Sequence, residues 1–203
     1  MREDIKIKIL QSLLDEVTKK YDYFIAHQEK IYKETYEMAV KDHLTGLYNR
    51  QYFEDYVVNL IKKGLREDRD FSLVFIDLDN FKPINDNFGH AKGDEVLQKV
   101  AKVLKQIFRD YDIIARVGGD EFAIIVENLL SKERIEEIRK EFEEAFKNFE
   151  LSFSYGMANL KEIDSESSNE DEILNLLLNL ADRRMYEEKI NKEKWWINAC
   201  EIL

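Results

Sequence analysis

The chain has few of the residues that bend or cross-link a backbone. Its 203 residues include one cysteine, one proline and seven glycines. A single thiol, Cys200, cannot close an internal disulfide, so a disulfide-stapled fold is excluded and a reducing, cytoplasmic setting is expected. Cys200 itself reads as a small buried hydrophobe. With three histidines and that one cysteine, no His/Cys cluster exists to favour a soft metal. No apolar run reaches the length that spans a bilayer, so a soluble chain without a membrane segment is expected. The charged start, Met1-Arg2-Glu3-Asp4, leads into no apolar signal core. Basic charge is also short: 31 Lys and Arg face 42 Asp and Glu, for a net charge of -11. That argues against a nucleic-acid partner, which needs a basic footprint. It leaves room for a nucleotide substrate, whose phosphates a bound cation can neutralise locally.

What remains is a chain that is 44% hydrophobic, long enough for one domain with a sizeable core plus an appendage. Residues 1–41 read as that appendage, a long N-terminal helix without Pro or Gly from about residue 4. A seam of Leu10, Leu14, Val17, Tyr21, Phe24, Gln28, Ile31, Thr35 and Met38 alternates steps of four and three, as in a coiled coil. The helix is expected to dimerise or to pack along its own domain. Two polar seam positions, Gln28 and Thr35, make any pairing imperfect.

Residues 42–203 read as the main domain. Asn49 is placed to cap a helix carrying Phe53, Val57, Leu60 and Ile61. Phe71 to Ile76 reads as a buried strand ending at Asp77-Leu78-Asp79, followed by a polar loop around Pro83. A helix with Val96, Leu97, Val100, Val103 and Leu104 on one face comes next. Strands at 113–117 and 122–126 flank Gly118-Gly119-Asp120-Glu121, a hairpin signal. A helix at about 132–148, a strand at 151–158, an acidic, serine-rich loop at 161–170, a helix at about 171–190 and a short strand near Trp195 to Ala199 complete the chain. Strand, helix, strand, strand, helix, strand is the split βαβ order of a ferredoxin-like α/β (α+β) sandwich, with a mostly antiparallel sheet flanked by helices and an extra helix and strand. In that order the first two strands run parallel with the third antiparallel between them. The hairpin at 118–121 then lies at the sheet end that carries Asp77.

Asp77, Asp79, Asp120 and Glu121 converge in this arrangement. Carboxylates brought together repel unless a cation bridges them, and hard oxygen ligands suit Mg²⁺ or Mn²⁺. Two adjacent glycines admit a bulky ligand close to the backbone. The combination points to metal-assisted phosphoryl or nucleotidyl transfer; a solvated Gly-Gly-Asp turn is the plainer alternative.

Arg116-Val117-Gly118-Gly119-Asp120-Glu121-Phe122 resembles the signature of the GGDEF family of diguanylate cyclases. The resemblance extends to Asp42-His43-Leu44-Thr45-Gly46-Leu47-Tyr48-Asn49-Arg50, to Asp77-Leu78-Asp79-Asn80-Phe81-Lys82-Pro83-Ile84-Asn85-Asp86, to Gly89-His90-Ala91-Lys92-Gly93-Asp94, to Ser152-Phe153-Ser154-Tyr155-Gly156, and to Ala181-Asp182 near Met185-Tyr186. It covers residues 42 to about 190 in the same order. The family condenses two GTP into cyclic di-GMP and two pyrophosphates, working as a homodimer with Mg²⁺ or Mn²⁺, two per active site. The resemblance implies Asp77, Asp120, Glu121 and the Leu78 carbonyl as metal ligands. Glu121 would help deprotonate the attacking 3′-hydroxyl, and Lys82 would stabilise phosphate charge. Asn85 and Asp94 would read guanine, since a carboxylate accepts from N1–H and N2–H₂. Phe81 and His90 would line the nucleotide pocket, and Lys189 would reach the triphosphate. The run Arg109-Asp110-Tyr111-Asp112 is separated from Gly118 by five residues, Ile113 to Val117. At that offset Arg109 and Asp112 resemble the family's inhibitory product-binding site. Arg109 suits phosphate or a guanine edge through its planar fork.

The tail departs from the family pattern. The usual Ala-Lys falls on Glu188-Lys189, and the usual arginine of the following Gly-Arg-Asn falls on Glu193. Lys192 or Lys194 could supply a point charge there, but neither has arginine's fork. The competing expectation is therefore a catalytically weak GGDEF module that binds GTP or cyclic di-GMP as an effector.

Overall fold

A computed structural model describes residues 2–163 and 169–200 of the chain, with the side chains of Asp4 and of residues 193–200 outside the description. It divides into two units, residues 1–40 and 41–203. The first is a single helix, α1 (Arg2–Val40). At 1.5 Å per residue it is about 58 Å long. Its seam residues are exposed, among them Leu10, Leu14, Val17, Tyr21, Phe24, Ile31 and Met38. Among the described residues no helix is long and apolar enough to cross a membrane.

The second unit contains α2 (Arg50–Glu67), β1 (Ser72–Asp79), α3 (Phe81–Phe88), α4 (His90–Ile107), β2 (Ile113–Arg116), β3 (Glu121–Val126), α5 (Lys132–Ala145), β4 (Ser152–Asn159) and α6 (Glu170–Cys200). The four strands form one sheet in the order β2-β3-β1-β4. Every pairing is antiparallel, which makes β1 and β2 parallel with β3 between them, as the order of elements predicts.

Both faces of the sheet are covered, and strand alternation assigns residues to each. Val74, Ile76, Leu78, Ile114, Phe122, Ile124 and Phe153 point to one side, where Val96, Leu97, Val100 and Leu104 of α4 and Ile135, Ile138 and Phe142 of α5 close the core. Leu73, Ile113, Ala115, Ala123, Ile125 and Ala158 point to the other, against Phe53, Val57 and Ile61 of α2 and Ile173, Leu177 and Ala181 of α6. Two-sided burial explains why the strands read as nearly continuous apolar runs. Each large side chain so buried contributes about 1.5–3 kcal/mol. Asn49 caps α2 by accepting from the Tyr52 amide at 2.9 Å.

Two segments differ from the sequence expectation. The loop expected around Pro83 is the helix α3. Pro83 is its third residue, in the first turn, where a missing N–H costs no helical hydrogen bond. The strand expected at Trp195 to Ala199 is instead the continuation of α6. No Gly or Pro interrupts residues 170–200, so nothing local stops the helix. The acidic, serine-rich loop begins as a short 3-10 turn at Leu160–Glu162; its middle, residues 164–168, lies outside the described residues, as does the side chain of Cys200.

Candidate active site

The site begins with strand register. Asp77 of β1 stands opposite Glu121 of β3, and the Leu78 amide donates to the Asp120 carbonyl at 3.2 Å. The ladder therefore carries the carboxylates of two distant segments to one end of the sheet. Leu78 itself has a buried side chain.

Burial and crowding govern the charges there. Burial raises the Asp77 carboxyl above its ordinary range; a hydrogen bond from Lys189 opposes the rise, and the Asp120 and Asp79 charges add to it. Glu121 is raised by burial and then by Asp77, Asp120 and Asp182. Cations from α6 offset this repulsion. Lys189 Nζ donates to Asp77 Oδ1 at 2.5 Å. Lys192 Nζ donates to Asp79 Oδ2 at 2.8 Å and to the Phe153 carbonyl at 2.7 Å. Ser154 Oγ also donates to Asp79, at 2.7 Å. Burial acts to lower Lys189, but its bond to Asp77 and the surrounding acids outweigh burial and raise it.

The hairpin between β2 and β3 is held from both sides. The Val117 and Gly118 amides donate to the Glu121 carbonyl at 3.0 and 3.3 Å. A Cβ on Gly118 would stand 2.2 Å from Glu121 Oε2, so the glycine is what allows the glutamate to fold under the turn. Arg116 grips the turn by donating from Nε and Nη2 to the Gly119 carbonyl at 3.1 and 2.8 Å. Its Nη1 lies 3.3 Å from Asp42. Asp42 in turn accepts from the Thr45 amide at 2.9 Å and the Thr45 hydroxyl at 2.6 Å. Residues 42–48 thereby become a brace for the hairpin.

Beside the acidic end, Phe81, Lys82, Asn85, His90, Asp94 and Asp120 line one cavity of about 300 Å³. The helix α3 creates it: Phe81 and Ile84 are buried, while Lys82 and Asn85 remain accessible. The structure thus brings together every side chain expected at the nucleotide except Lys189, which reaches the same acidic edge through Asp77. Arg109 and Asp112 lie elsewhere, on a cavity of about 230 Å³ with Lys41, Lys105 and Tyr48. They do not pair through side chains. Asp112 Oδ2 accepts from the Arg109 backbone amide at 2.9 Å, and the Arg109 guanidinium bonds the Tyr111 hydroxyl. Asp112 Oδ1 is buried without a hydrogen-bond partner, and burial raises this carboxyl.

Among the described residues, no three His, Cys, Asp or Glu side chains stand together as a group that could hold a metal ion, so the four-carboxylate convergence of Asp77, Asp79, Asp120 and Glu121 expected from the sequence is not formed as a ready metal site. The donor chemistry nevertheless fits a hard divalent cation, since Asp77 and Glu121 carry carboxyls whose ionised forms are disfavoured by burial and by neighbouring like charge. Sequence reading assigned no role to Arg116, Asp42 or Ser154. The Asp42-x-x-Thr45 spacing is a turn signal that could have exposed one of them.

Comparison with known proteins agrees with this geometry. Residues 39–194 match the family described as "Diguanylate cyclase, GGDEF domain". The bifunctional diguanylate cyclase/cyclic di-GMP phosphodiesterase MucR of Pseudomonas aeruginosa is 34% identical over 164 residues, spanning 77% of this chain and 23% of that protein. Diguanylate cyclase DgcP of Escherichia coli is 34% identical over 160 residues, spanning 75% of this chain and 45% of that protein. The chain thus covers less than half the length of these relatives. The coiled coil and GGDEF domain of DgcB from Caulobacter crescentus, solved in complex with c-di-GMP, superposes with a TM-score of 0.69 at 26% identity, covering 90% of this chain and 95% of that one. The GGDEF domain of PA1120 (TpbB or YfiN) from Pseudomonas aeruginosa gives 0.63 at 31% identity, covering 74% and 89%. The family implies a divalent metal requirement, and the chain belongs to the GGDEF family.

Proposed function

We propose that the chain is a diguanylate cyclase that condenses two GTP into cyclic di-GMP and two pyrophosphates. One observation carries the reading: the cavity lined by Asn85, His90 and Asp94 also contains Lys82 and Asp120, so base recognition and phosphate chemistry share one chamber. In this reading Asp94 accepts from guanine N1–H and N2–H₂ and Asn85 pairs with its acceptor edge, which favours GTP over ATP. Phe81 and His90 line the pocket around the nucleotide. Lys82, Lys189 and Lys192 counter phosphate charge, and Lys192 stands in for the arginine that Glu193 replaces; the Glu193 side chain is outside the described residues.

Asp77, Asp120, Glu121 and the Leu78 carbonyl would hold two Mg²⁺ or Mn²⁺ ions, which supply charge neutralisation of the triphosphate and activation of the attacking hydroxyl. Glu121 accepts the 3′-hydroxyl proton as that oxygen attacks the α-phosphate of the second GTP. Pyrophosphate leaves in line, and the second attack closes the ring. Each domain holds one GTP, so two must face each other, and α1 pairs the chains to favour that encounter. Residues 42–203 form the catalytic domain, acting in the cytoplasm. Arg109 and Asp112 bind product and inhibit.

The test is chromatography of nucleotides after incubation with GTP and Mg²⁺. Wild type should yield cyclic di-GMP and Asp120→Ala none. Binding of cyclic di-GMP without synthesis by either protein would replace the cyclase with an effector module.

A further inference from the structure

Glu188 lies one residue before Lys189, and its Oε1 is 4.0 Å from Lys192 Nζ one turn further along α6. Its two carboxylate oxygens tie three elements together. Oε2 accepts from the Tyr155 amide of β4 at 2.5 Å, and Oε1 accepts from the Arg139 guanidinium of α5. Because β4 is an outer strand of the sheet, Glu188 satisfies an edge amide that would otherwise need water. Arg139 is fixed in turn. It is 3.3 Å from Glu136 and lies over the Tyr155 and Phe153 rings at 5.0 and 5.6 Å, with 13% of its side chain exposed.

The next residue along α6 is Lys189, on Asp77, and one turn beyond Glu188 is Lys192, on Asp79 and the Phe153 carbonyl. Lys189, Lys192 and Arg139 all line a cleft of about 690 Å³ next to the acidic edge. Lysines are flexible four-carbon stems, so their reach is set by where the helix backbone is held. We propose that Glu188 and Arg139 are positioning residues, a latch that fixes α6 against β4 so that Lys189 and Lys192 meet the triphosphate. The nucleotide part of this inference rests on the cyclase reading; the latch itself does not.

The experiment titrates 3′-deoxy-GTP, which lacks the attacking hydroxyl, in the presence of Mg²⁺ against wild type, Glu188→Ala, Lys189→Ala and the double variant. Guanosine serves as a control without phosphates, and amide hydrogen exchange is followed at Tyr155 and along 185–192. Glu188→Ala should weaken 3′-deoxy-GTP about five- to tenfold, leave guanosine unchanged, and cost less in Lys189→Ala than in wild type, because only Lys192 is then left to displace. Exchange at Tyr155 and along 185–192 should accelerate more than about tenfold. Glu188→Gln, which keeps an acceptor for Tyr155 but loses the charge facing Arg139, should fall between. Unchanged exchange in Glu188→Ala, or a full additive loss on Lys189→Ala, overturns the latch. If wild type binds no 3′-deoxy-GTP, the cyclase reading fails and the exchange comparison alone decides the latch.

Discussion

Asp42 and Arg116 are 74 positions apart, yet the hairpin depends on their contact. Both are largely shielded, at 17% and 14% side-chain exposure, so removing either leaves a charge with little solvent to replace its partner. Burial acts to raise the Asp42 carboxyl, but the two Thr45 hydrogen bonds and Arg116 outweigh it and hold the group below its ordinary value of 3.8. A carboxyl depressed in the folded state stabilises above the unfolded value and loses that contribution as pH falls through the folded one. Asp42→Asn is therefore expected to lose about 1–3 kcal/mol at neutral pH. Urea denaturation at descending pH should show the gap from wild type closing below 3.8; a gap independent of pH contradicts this. At this scale the acids of the site are legible, because Asp77 ends an apolar strand and Asp120 and Glu121 follow two glycines. The pairing of Asp42 with Arg116 is not, since it depends on which segments the fold brings together.

β4 and α6 meet closely at Gly156. A Cβ there would lie 1.9 Å from the Ala181 carbonyl oxygen and 2.3 Å from the Met185 amide nitrogen. Both are backbone atoms of α6, so no side-chain rotation relieves the clash. Gly156→Ala is expected to cost roughly 3 kcal/mol, read as a lowered denaturation midpoint, and to weaken 3′-deoxy-GTP binding by moving Lys189 away from Asp77. A variant with wild-type stability and affinity would show that α6 can shift freely. Helices α2, α4 and α5 were legible from apolar spacing, because each covers one sheet face. The helix α3 was not: its eight residues include Pro83 and polar side chains, and its stability comes from burying Phe81 and Ile84. The extension of α6 through Trp195 was hidden by an aromatic run that suits a strand as well as a helix.

For the whole molecule, the proposed reaction needs two bound GTP and therefore two domains. The seam of α1 leaves Leu10, Leu14, Val17, Tyr21 and Phe24 exposed, a surface suited to a second copy. Removing residues 1–40 is expected to leave product formation intact at high protein concentration and to reduce it by about 10²-fold or more on dilution, as tethering is lost. Rate measured against protein concentration checks this, and equal dilution behaviour of the two forms would assign α1 another role. The order of elements sets the sheet topology through short connections, whereas the partner of α1 is not encoded in any local pattern.

The stoichiometry of GTP turnover separates a cyclase from a module that only binds nucleotide. With GTP and Mg²⁺, pyrophosphate and cyclic di-GMP should be quantified together as GTP is consumed. A cyclase yields one pyrophosphate for each GTP lost and one cyclic di-GMP for every two. GTP that is bound but not consumed, or that yields orthophosphate without cyclic di-GMP, would contradict it.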